Sequence, residues 1–231
     1  MSDQLYDIWW QDTDNGEQSM EDDHLEGWQQ TIDTIVEPSL EGMTVLDFGC
    51  NQGGFLRHLY HYSPYKKAVG VDLAKASIKV ANKRIGDLPI TYEATGQVEL
   101  LGPSFDMAFS TSVIYLIKDL AQHAWQMKQV LKPNGVYYAT FTDQSTNPSL
   151  AYMKKQIDQY GTTPMQLHNL DDIANAFIKE GFLVELKRVT PQQFVRVNRN
   201  SAFYQRISDR MLAEYELAYV FRFIAPNEEG E

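Results

Sequence analysis

From Met43 onward, short apolar runs alternate with segments of helical periodicity, and this alternation constrains the fold more than any other feature of the sequence. Such an order is typical of βαβ units that build a parallel sheet. We expect strands at about 44–49, 68–72, 89–93, 105–110, 135–141, 182–189 and 215–224. We expect helices near 54–62, 74–85, 119–131 and 169–180. The sequence therefore predicts an α/β fold.

Residues 1–42 differ in character from this pattern. The first part, residues 1–26, is polar and acidic, but it has three aromatic residues within five positions, which indicates docking on the rest of the protein: Tyr6, Trp9 and Trp10. The second part predicts a helix over 27–38, ended by Pro38, whose apolar face is Trp28, Ile32, Ile35 and Val36. We therefore expect an N-terminal cap (1–42) on a domain (43–231), as a single domain overall.

The net charge of −11 is concentrated at the front of the chain. Residues 1–56 carry thirteen acids and no Lys or Arg, whereas the remaining 175 residues carry eighteen acids and twenty bases. A uniformly acidic protein would repel nucleic acid, but an acidic front on a near-neutral body leaves that question open. The overall acidity and the lack of a contiguous basic tract argue against a nucleic-acid partner. The start of the sequence does not resemble a signal peptide, no apolar stretch reaches the roughly 18 residues of a membrane span, and the single cysteine, Cys50, cannot form an intrachain disulfide. These features predict a cytoplasmic protein without a membrane partner.

A glycine-rich turn joins the first strand to the first helix of the α/β region. Its glycines let the backbone approach a ligand closely, and the following helix offers free N–H groups to a negative group. Asp47 lies near the end of the apolar strand, where a carboxylate is costly unless it is hydrogen-bonded or faces a cation. Asp72 ends the second strand about 20 residues beyond the turn, where an acid can accept the hydroxyls of a ribose.

These motifs resemble those of the class I, Rossmann-like S-adenosylmethionine (SAM) dependent methyltransferases. Residues 45–53 resemble the first motif, Asp72 the second, 105–119 the fourth and 131–136 the late Leu-Lys-Pro-Gly-Gly turn. The resemblance covers about 43–190 and the last strand, including Glu180-Gly181-Phe182 before the sixth strand. It implies a doubly wound, mostly parallel seven-stranded sheet of order 3-2-1-4-5-7-6, with the last strand antiparallel and helices on both faces.

Two asparagines stand where the family has glycine. Asn51 replaces the middle glycine of the first loop, and Asn134 replaces the first glycine of the late turn. Asparagine is the non-glycine residue that best tolerates positive φ, so we expect both loops to keep the family's conformation.

The resemblance also implies a cofactor site, with SAM as cofactor and S-adenosylhomocysteine as product. The loop 49–53 would wrap the methionine end, and Asp47 would act through the backbone and water near the amino group. Asp72 would bind the ribose hydroxyls, residues 95–97 the adenine edge, and 110–111 the methionine portion. The full set is Asp47, Gly49, Cys50, Asn51, Gly53, Asp72, Leu73, Thr95, Gly96, Gln97, Ser110 and Thr111.

The reaction needs mainly alignment and water exclusion, because the sulfonium is already electrophilic. A catalytic base is therefore optional, and the sequence does not identify one; we list Tyr115, His168 and Asp143 as the side chains to mutate. Asp106 is expected to hold the fold together. We expect no metal site, because His58 and His61 lack a third ligand and are interpreted, like His123, as surface residues.

The acceptor should meet the cofactor beyond the carboxyl ends of the strands. Tyr6, Trp9 and Trp10 would form a lid there or simply anchor the N-terminus. Tyr115 falls at the position that in this family often faces the transferable methyl group, and its alternative is a packed core tyrosine. A basic stretch carries Arg196, Arg199, Arg206 and Arg210. It would hold an anionic group of the acceptor, face the acidic cap, or form a solvated helical face at 201–214.

The function predicted from the sequence is SAM-dependent methyl transfer to a small-molecule acceptor. Three alternatives stay open: a tRNA or protein methyltransferase, a nicotinamide-dependent dehydrogenase and a non-catalytic SAM-binding module. The absence of an intact Gly-x-Gly-x-x-Gly speaks against the dehydrogenase. The acceptor atom, the pathway and the oligomeric state are not encoded in any feature that we recognise.

Overall fold

A seven-stranded sheet in the order β3-β2-β1-β4-β5-β7-β6 forms the centre of the computed structural model, which describes residues 4–11, 17–102, 104–197 and 203–227. The strands are β1 (Thr44–Phe48), β2 (Lys67–Asp72), β3 (Ile90–Ala94), β4 (Phe105–Ser110), β5 (Leu131–Thr142), β6 (Leu183–Arg188) and β7 (Ala218–Ile224). Strands β1 to β5 pair in parallel, and β7 pairs antiparallel with both β5 and β6. The strand order and the antiparallel last strand predicted from the sequence are confirmed.

The helices cover both faces of this sheet. They are α1 (Glu17–Ile32), α2 (Gly54–Tyr62), α3 (Lys75–Arg84), α4 (Leu120–Val130), α5 (Leu150–Tyr160), α6 (Leu170–Lys179) and α7 (Ile207–Leu212). On one face, α1 to α3 pack on alternate strand residues such as Val45 and Phe109. On the other face, α4 and α6 pack on Leu46, Tyr137 and their neighbours. The inner parallel strands β1, β2 and β4 are therefore buried on both sides, which is why they are apolar runs, whereas the edge strand β3 alternates buried and exposed residues.

The β4–β5 connection confirms the predicted tight turn. The pairing skips from Phe105↔Leu131 to Met107↔Val136, so that residues 132–135 loop out of the ladder. Asn134 has φ 61°, the left-handed conformation expected for this asparagine. Asp106 holds the same region together, because its carboxylate accepts hydrogen bonds from Thr44 N (2.8 Å) and Lys132 Nζ (2.7 Å).

Three sequence predictions about secondary structure are wrong. The N-terminal helix spans 17–32 rather than 27–38, and Val36 lies exposed in the extended segment that follows. Helix α5 was not predicted within the connection 142–168. The last strand begins at Ala218 rather than Tyr215, because Ala213–Leu217 form a π-type turn that continues α7.

The early start of α1 has a tertiary cause. Glu21 pairs with Arg57 (2.8 Å) and Arg84 (2.9 Å), and Trp28 covers Gly54 at the start of α2. These partners are distant in sequence, so the helical signal of residues 17–26 is not visible in local apolar spacing. At the other end, the Thr34 hydroxyl donates to Thr31 O (2.6 Å), and the chain leaves the helix well before Pro38.

His123 is not a surface residue, contrary to expectation. It is 1% exposed on the inner face of α4, and its Nε2 lies 3.0 Å from the Tyr137 hydroxyl. Burial lowers the pKa of this imidazole to about 3, so the ring is neutral at physiological pH. A histidine among apolar neighbours therefore serves here as a core residue. His61 is exposed as expected, and His58 is half-buried against Gln29.

None of the described helices is long and apolar enough to span a bilayer. Within the same described residues, no group of three or more His, Cys, Asp or Glu side chains is arranged to hold a metal ion.

Candidate active site

The predicted cofactor residues gather at one edge of the sheet, because the carboxyl ends of β1 to β4 lie side by side. The loop Gly49–Gly53 follows β1, Asp72 ends β2, residues 95–97 follow β3, and Ser110 ends β4. Positions that are far apart in the sequence thus meet at a single crevice.

The loop after β1 turns through three residues with positive φ: Gly49 (81°), Asn51 (44°) and Gly53 (75°). Its backbone is tied to β2, since Gly49 N and Cys50 N both donate to Val71 O (2.8 and 3.0 Å). A Cβ at Gly49 would lie 2.5 Å from a Val113 methyl, and one at Gly53 would lie 2.4 Å from the Tyr92 ring. Both glycines are therefore required by close packing as well as by φ.

Tyr92 supports this loop and was not predicted from the sequence. Its ring passes over Gly70 of β2, where a Cβ would lie 2.5 Å from the ring, and its hydroxyl donates to Gly53 O (2.7 Å). A signal for this contact was present, because glycine inside a strand often marks close approach of another group. Gly70 shows that the loop is buttressed across two strands.

Cys50 contributes only its backbone to the crevice. Its side chain is buried beside Gly70, and burial raises the pKa of the thiol well above its usual range. The thiol is therefore a neutral core group that donates weakly to Asn51 O (3.8 Å), rather than a nucleophile.

Asp47 is the most unusual side chain in the site. It is 1% exposed, and neither carboxylate oxygen has a hydrogen-bond partner among the described residues. Burial, followed by the nearby negative charge of Asp72, raises the pKa of Asp47 well above its usual range. A buried carboxylate without a partner suits a cationic ligand group. Asn51 Oδ1 and Gln52 Oε1, also hydrogen-bond acceptors, are likewise buried without a described partner.

Asp72 is positioned by the backbone around it. One carboxylate oxygen accepts from Asn51 N (2.8 Å) and the other from Ala74 N (2.8 Å), which links β2 to the glycine-rich loop and to the start of α3. A carboxylate oxygen can accept more than one hydrogen bond, so both oxygens can still receive ribose hydroxyls. Next to it, Leu73 is half-buried.

The third and fourth strand ends complete the edge. Thr95 N donates to Asp72 O (3.0 Å), and Gly96 O accepts from the buried Gln126 amide (3.1 Å), whereas Gln97 is exposed. Ser110 is fully buried and Thr111 half-buried. The chain then turns sharply at Ser112, whose φ is 59° and whose N–H donates to Thr140 Oγ1 (2.8 Å).

Residues 4–11 form a strap along this edge. At one end, Tyr6 N donates to Leu73 O (3.0 Å), and Tyr6 O accepts from Lys75 N (2.8 Å). At the other end, Thr162 N donates to Trp9 O (2.8 Å) and Gln11 N to Tyr160 O (2.9 Å). The strap thus runs from the end of β2 and the start of α3 to the end of α5.

The aromatic residues of the strap take different positions. Trp10 is 3% exposed and packs against Tyr160 and Phe203, with ring centroids 5.6 and 5.8 Å away. Trp9 is half-buried beside it. Tyr115 is half-buried, and burial, followed by the neighbouring Tyr6, raises the pKa of its hydroxyl.

Two of the three side chains listed for a base have structural roles. His168 Nε2 lies 2.7 Å from Ile117 O, so this nitrogen carries the hydrogen. The Asp143 carboxylate caps the turn after β5 by accepting from Ser145 N (3.0 Å) and Leu170 N (3.4 Å). Tyr115 is the candidate that lies beside the strap.

The arginines of the basic stretch do not face the acidic cap in the described structure. Arg206 pairs with Asp209 (3.5 Å) and Arg210 with Glu214 (3.4 Å), both within their own segment. The acidic front instead meets Arg57 and Arg84 through Glu21, and Arg222 through Glu37 (2.7 Å). Arg196 is exposed, and Arg199 lies outside the described residues.

Comparison with known proteins agrees with this geometry. Residues 46–139 match the family model described as a methyltransferase domain. That span runs from β1 to the middle of β5 and holds the glycine-rich loop, Asp72 and Ser110. Residues 46–139 are thus similar to a methyltransferase domain, and the sheet order is that of the class I SAM-dependent methyltransferase fold. Solved structures with this fold contain SAM or S-adenosylhomocysteine.

Three examples show the range of proteins to which this chain is similar. A phthiotriol/phenolphthiotriol dimycocerosates methyltransferase of Mycobacterium ulcerans is 27% identical over 204 residues, covering 86% of this chain and 69% of the relative. A tRNA U34 carboxymethyltransferase of Campylobacter lari is 31% identical over 122 residues, covering 48% and 40%. The methyltransferase in a complex with the Haloferax volcanii Trm112 methyltransferase activator has a TM-score of 0.76 at 18% identity, covering 91% and 93%.

The chain spans between 33% and 69% of the length of the curated relatives it matches. The match to the family model lies in residues 46–139.

Proposed function

We propose that this protein transfers the methyl group of SAM to a small-molecule acceptor by in-line displacement at the methyl carbon. The observation that carries the proposal is the buried Asp47 beside a glycine-rich loop and a fixed Asp72. This set offers acceptors to the amino group and the ribose of SAM, and the start of α2 offers backbone N–H groups to its carboxylate. SAM supplies the electrophilic methyl group; the residues of the chain bind it, orient it and exclude water.

The small size of the acceptor is inferred from the strap. Residues 4–11 are hydrogen-bonded at both ends and lie along the edge where the acceptor would enter. Behind the strap, the cluster of Met153, Ile157 and Met165 packs with Tyr115, Leu116 and Phe203. We call Met153, Ile157 and Met165 the methionine cluster. An apolar wall closed by a strap suits a compact, largely apolar acceptor better than a polymer.

The test is methyl transfer from radiolabelled SAM to pools of small molecules, with calorimetric titration of S-adenosylhomocysteine into the wild-type protein and Asp47→Ala. We expect S-adenosylhomocysteine to bind wild type and to bind the variant at least tenfold more weakly. Absence of binding to the wild type would overturn the proposal, whereas binding without turnover would support a non-catalytic SAM-binding module.

An anionic group on the acceptor is the second part of the proposal. Arg196 is exposed and makes no ion pair with any acid of the described residues. A guanidinium is well suited to a carboxylate or phosphate. Replacing Arg196 and Arg199 together by Gln should raise the KM of the acceptor while the SAM affinity is unchanged. Equal KM values in the variant and the wild type would remove the anion site.

A macromolecular acceptor is the alternative that one surface feature favours. Helix α3 contains no acid and exposes Lys75, Lys79 and Lys83. Their four-residue spacing places them in one row along the helix, which begins just after Asp72. None of them pairs with an acid in the described part of the chain. One relative carries the name of a tRNA carboxymethyltransferase. Salt-sensitive tRNA binding that is lost in the triple Gln variant would support this alternative.

A further inference from the structure

Gln144 stands at the carboxyl edge of the sheet without a role in the cofactor site. It lies two residues after the end of β5 and opens the single turn Gln144–Thr146. Its backbone is fixed on both sides, because Asp143 caps the turn through Ser145 N and Asn147 N donates to Gln144 O (2.9 Å). The side chain therefore has a defined starting point, and the residue is only 6% exposed.

Only one of the two polar atoms of the Gln144 amide has a hydrogen-bond partner among the described residues. Its Nε2 donates to the Tyr204 hydroxyl (3.1 Å), whereas its Oε1 is buried and has no hydrogen-bond partner among the described residues. Leaving a buried carbonyl without a partner costs stability, so such a group calls for a partner from outside the described residues, such as water or a ligand. The Tyr204 hydroxyl takes the Nε2 end of the amide and leaves the Oε1 end over.

Tyr204 also places this amide beside the acceptor side of the site. Its side chain packs on the methionine cluster, as Tyr115 does, and the adjacent Phe203 contacts Trp10 of the strap. Burial raises the pKa of the Tyr204 hydroxyl to about 12, so the hydroxyl is uncharged at neutral pH and accepts the amide N–H as a neutral partner. The Gln144 amide is thus hydrogen-bonded to Tyr204, which packs on the same methionine cluster as Tyr115.

We propose that Gln144 is an acceptor-binding residue whose amide oxygen accepts a hydrogen bond from a hydroxyl or amino group of the methyl acceptor. The inference rests on the proposed function, since it places the acceptor against the methionine cluster. It adds a chemical class: an apolar or aromatic body carrying an O–H or N–H, held by Gln144 with Tyr204 as the positioning residue. An analogue with a methyl group in place of the O–H leaves the oxygen unpaired and should bind poorly.

The test uses probe pairs that differ in one hydroxyl group: phenol and toluene, cyclohexanol and methylcyclohexane, and 2-naphthol and 2-methylnaphthalene. Each probe is titrated into the full chain saturated with S-adenosylhomocysteine and followed by the ¹³C-methyl signals of Met153 and Met165. We expect the hydroxyl member of at least one pair to bind about ten- to hundredfold more tightly than its partner. If no pair shows a hydroxyl preference in the wild type, the inference is wrong, and this result needs no variant.

Variants then locate the preference. Gln144→Met keeps the side-chain length and should reduce the hydroxyl advantage to less than about threefold, with little change in Tm because it also removes an unpaired buried group. Tyr204→Phe frees the amide and should lose part of the advantage. Gln126→Met is the matched buried-glutamine control, because its amide contacts Gly96 O and Glu99 rather than the methionine cluster. It should change S-adenosylhomocysteine affinity and keep the hydroxyl preference.

The outcomes separate the two proposals. Binding of S-adenosylhomocysteine with a hydroxyl preference that survives in Gln144→Met would overturn the assignment of Gln144 and leave the proposed function intact. Failure of the wild type to bind S-adenosylhomocysteine would instead overturn the proposed function.

Discussion

At the residue scale, Asp47 joins ligand binding to stability. A carboxylate with a raised pKa binds its proton more tightly in the folded state than in the unfolded state. The ligand-free protein therefore loses stability as pH rises from about 4 through the raised pKa. A cation from the ligand would reverse this effect by pairing with the ionised form.

We predict that Asp47→Asn removes both the loss of stability at high pH and the pairing with a cationic group of the ligand. The ligand-free variant should have an equal or higher Tm than wild type at pH 8 and lose this advantage near pH 4, because the asparagine carries no buried charge. Its affinity for S-adenosylhomocysteine should fall about ten- to hundredfold, the value of one charge-assisted hydrogen bond. Scanning calorimetry and titration calorimetry measure the two quantities.

Asp106→Asn is the control for this prediction. Burial alone would raise the pKa of Asp106, but the hydrogen bonds from Lys132 and Thr44 outweigh it and lower the pKa. The variant should therefore lose stability at neutral pH and keep its ligand affinity. Asp47→Asn and Asp106→Asn behaving alike would contradict the role assigned to Asp47.

Gly53 tests the packing of the loop. We predict that Gly53→Ala costs about 2–4 kcal/mol of the free energy of unfolding, since the new Cβ would meet the Tyr92 ring in addition to the cost of positive φ. Gly86→Ala is the matched control, with φ 58° and no atom within 4 Å, and should cost only about 1 kcal/mol. Urea denaturation measures the free energy of unfolding of both variants. Equal decreases would mean that the Tyr92 ring moves aside at no cost in stability.

How far the sequence predicts a residue depends on where its partners lie. Asp47, Asp72 and the loop glycines belong to local motifs, so their positions at the strand ends could be predicted. Tyr92, Gln126 and Gln144 act through partners 30 to 60 positions away, namely Gly53, Gly96 and Tyr204. His123 was misassigned for the same reason, because helical spacing alone does not identify Tyr137 and Phe48 as its neighbours.

At the element scale, the strap explains why truncation must be designed carefully. Deleting residues 1–26 would also remove the first part of α1, including Glu21 and its ion pairs with Arg57 and Arg84. Deleting residues 1–7 removes only the end of the strap that is bonded to Leu73, Lys75 and Ala76, and it leaves Trp10 in place.

We predict that the shorter deletion lowers methyl transfer at least tenfold while Tm falls by less than about 10 °C. The lost contacts include three backbone hydrogen bonds, each contributing about 1 kcal/mol, and each kcal/mol corresponds to about 2–4 °C in a chain of this size. The deletion of 1–26 should lower Tm much further. A short deletion that destabilises the protein and spares transfer would show that the strap is only an anchor.

The elements that the sequence missed share one property. Helix α5 has few fully buried residues, and α7 is six residues long and runs into a π-type turn. The buried residues of α5, Met153 and Ile157, pack in the methionine cluster rather than in the two clusters on the sheet. The inner strands β1, β2 and β4, buried on both faces, were predicted to within a few residues because burial fixes their composition.

At the scale of the whole molecule, the acidic front is held by arginines spread over the body. Arg222 of β7 joins Glu37 (2.7 Å) and Glu185 (2.6 Å), and the Tyr138 hydroxyl donates to Glu37 (2.6 Å). Burial would raise the pKa of Glu37, but the hydrogen bonds from Tyr138 and Arg222 outweigh it and lower the pKa. The segment after α1 is thereby fixed to the far part of the sheet.

We predict that Glu37→Gln lowers Tm by several degrees at pH 7 and that the difference from wild type vanishes in acid. A carboxylate with a lowered pKa stabilises the fold above its unfolded pKa of about 4.5, and this contribution is lost as pH falls through the folded pKa. Scanning calorimetry between pH 7 and pH 3 measures the difference. Glu41→Gln, an exposed neighbour, should show no such trend.

The strap also has a consequence for synthesis. Trp9 and Gln11 bond to Tyr160 and Thr162, about 150 positions later in the chain. At typical elongation rates of about 5–20 residues per second, these partners leave the ribosome about 8–30 seconds after the strap itself. Residues 4–11 are therefore made early and docked late, and until then two tryptophans and a tyrosine are exposed to chaperones and proteases.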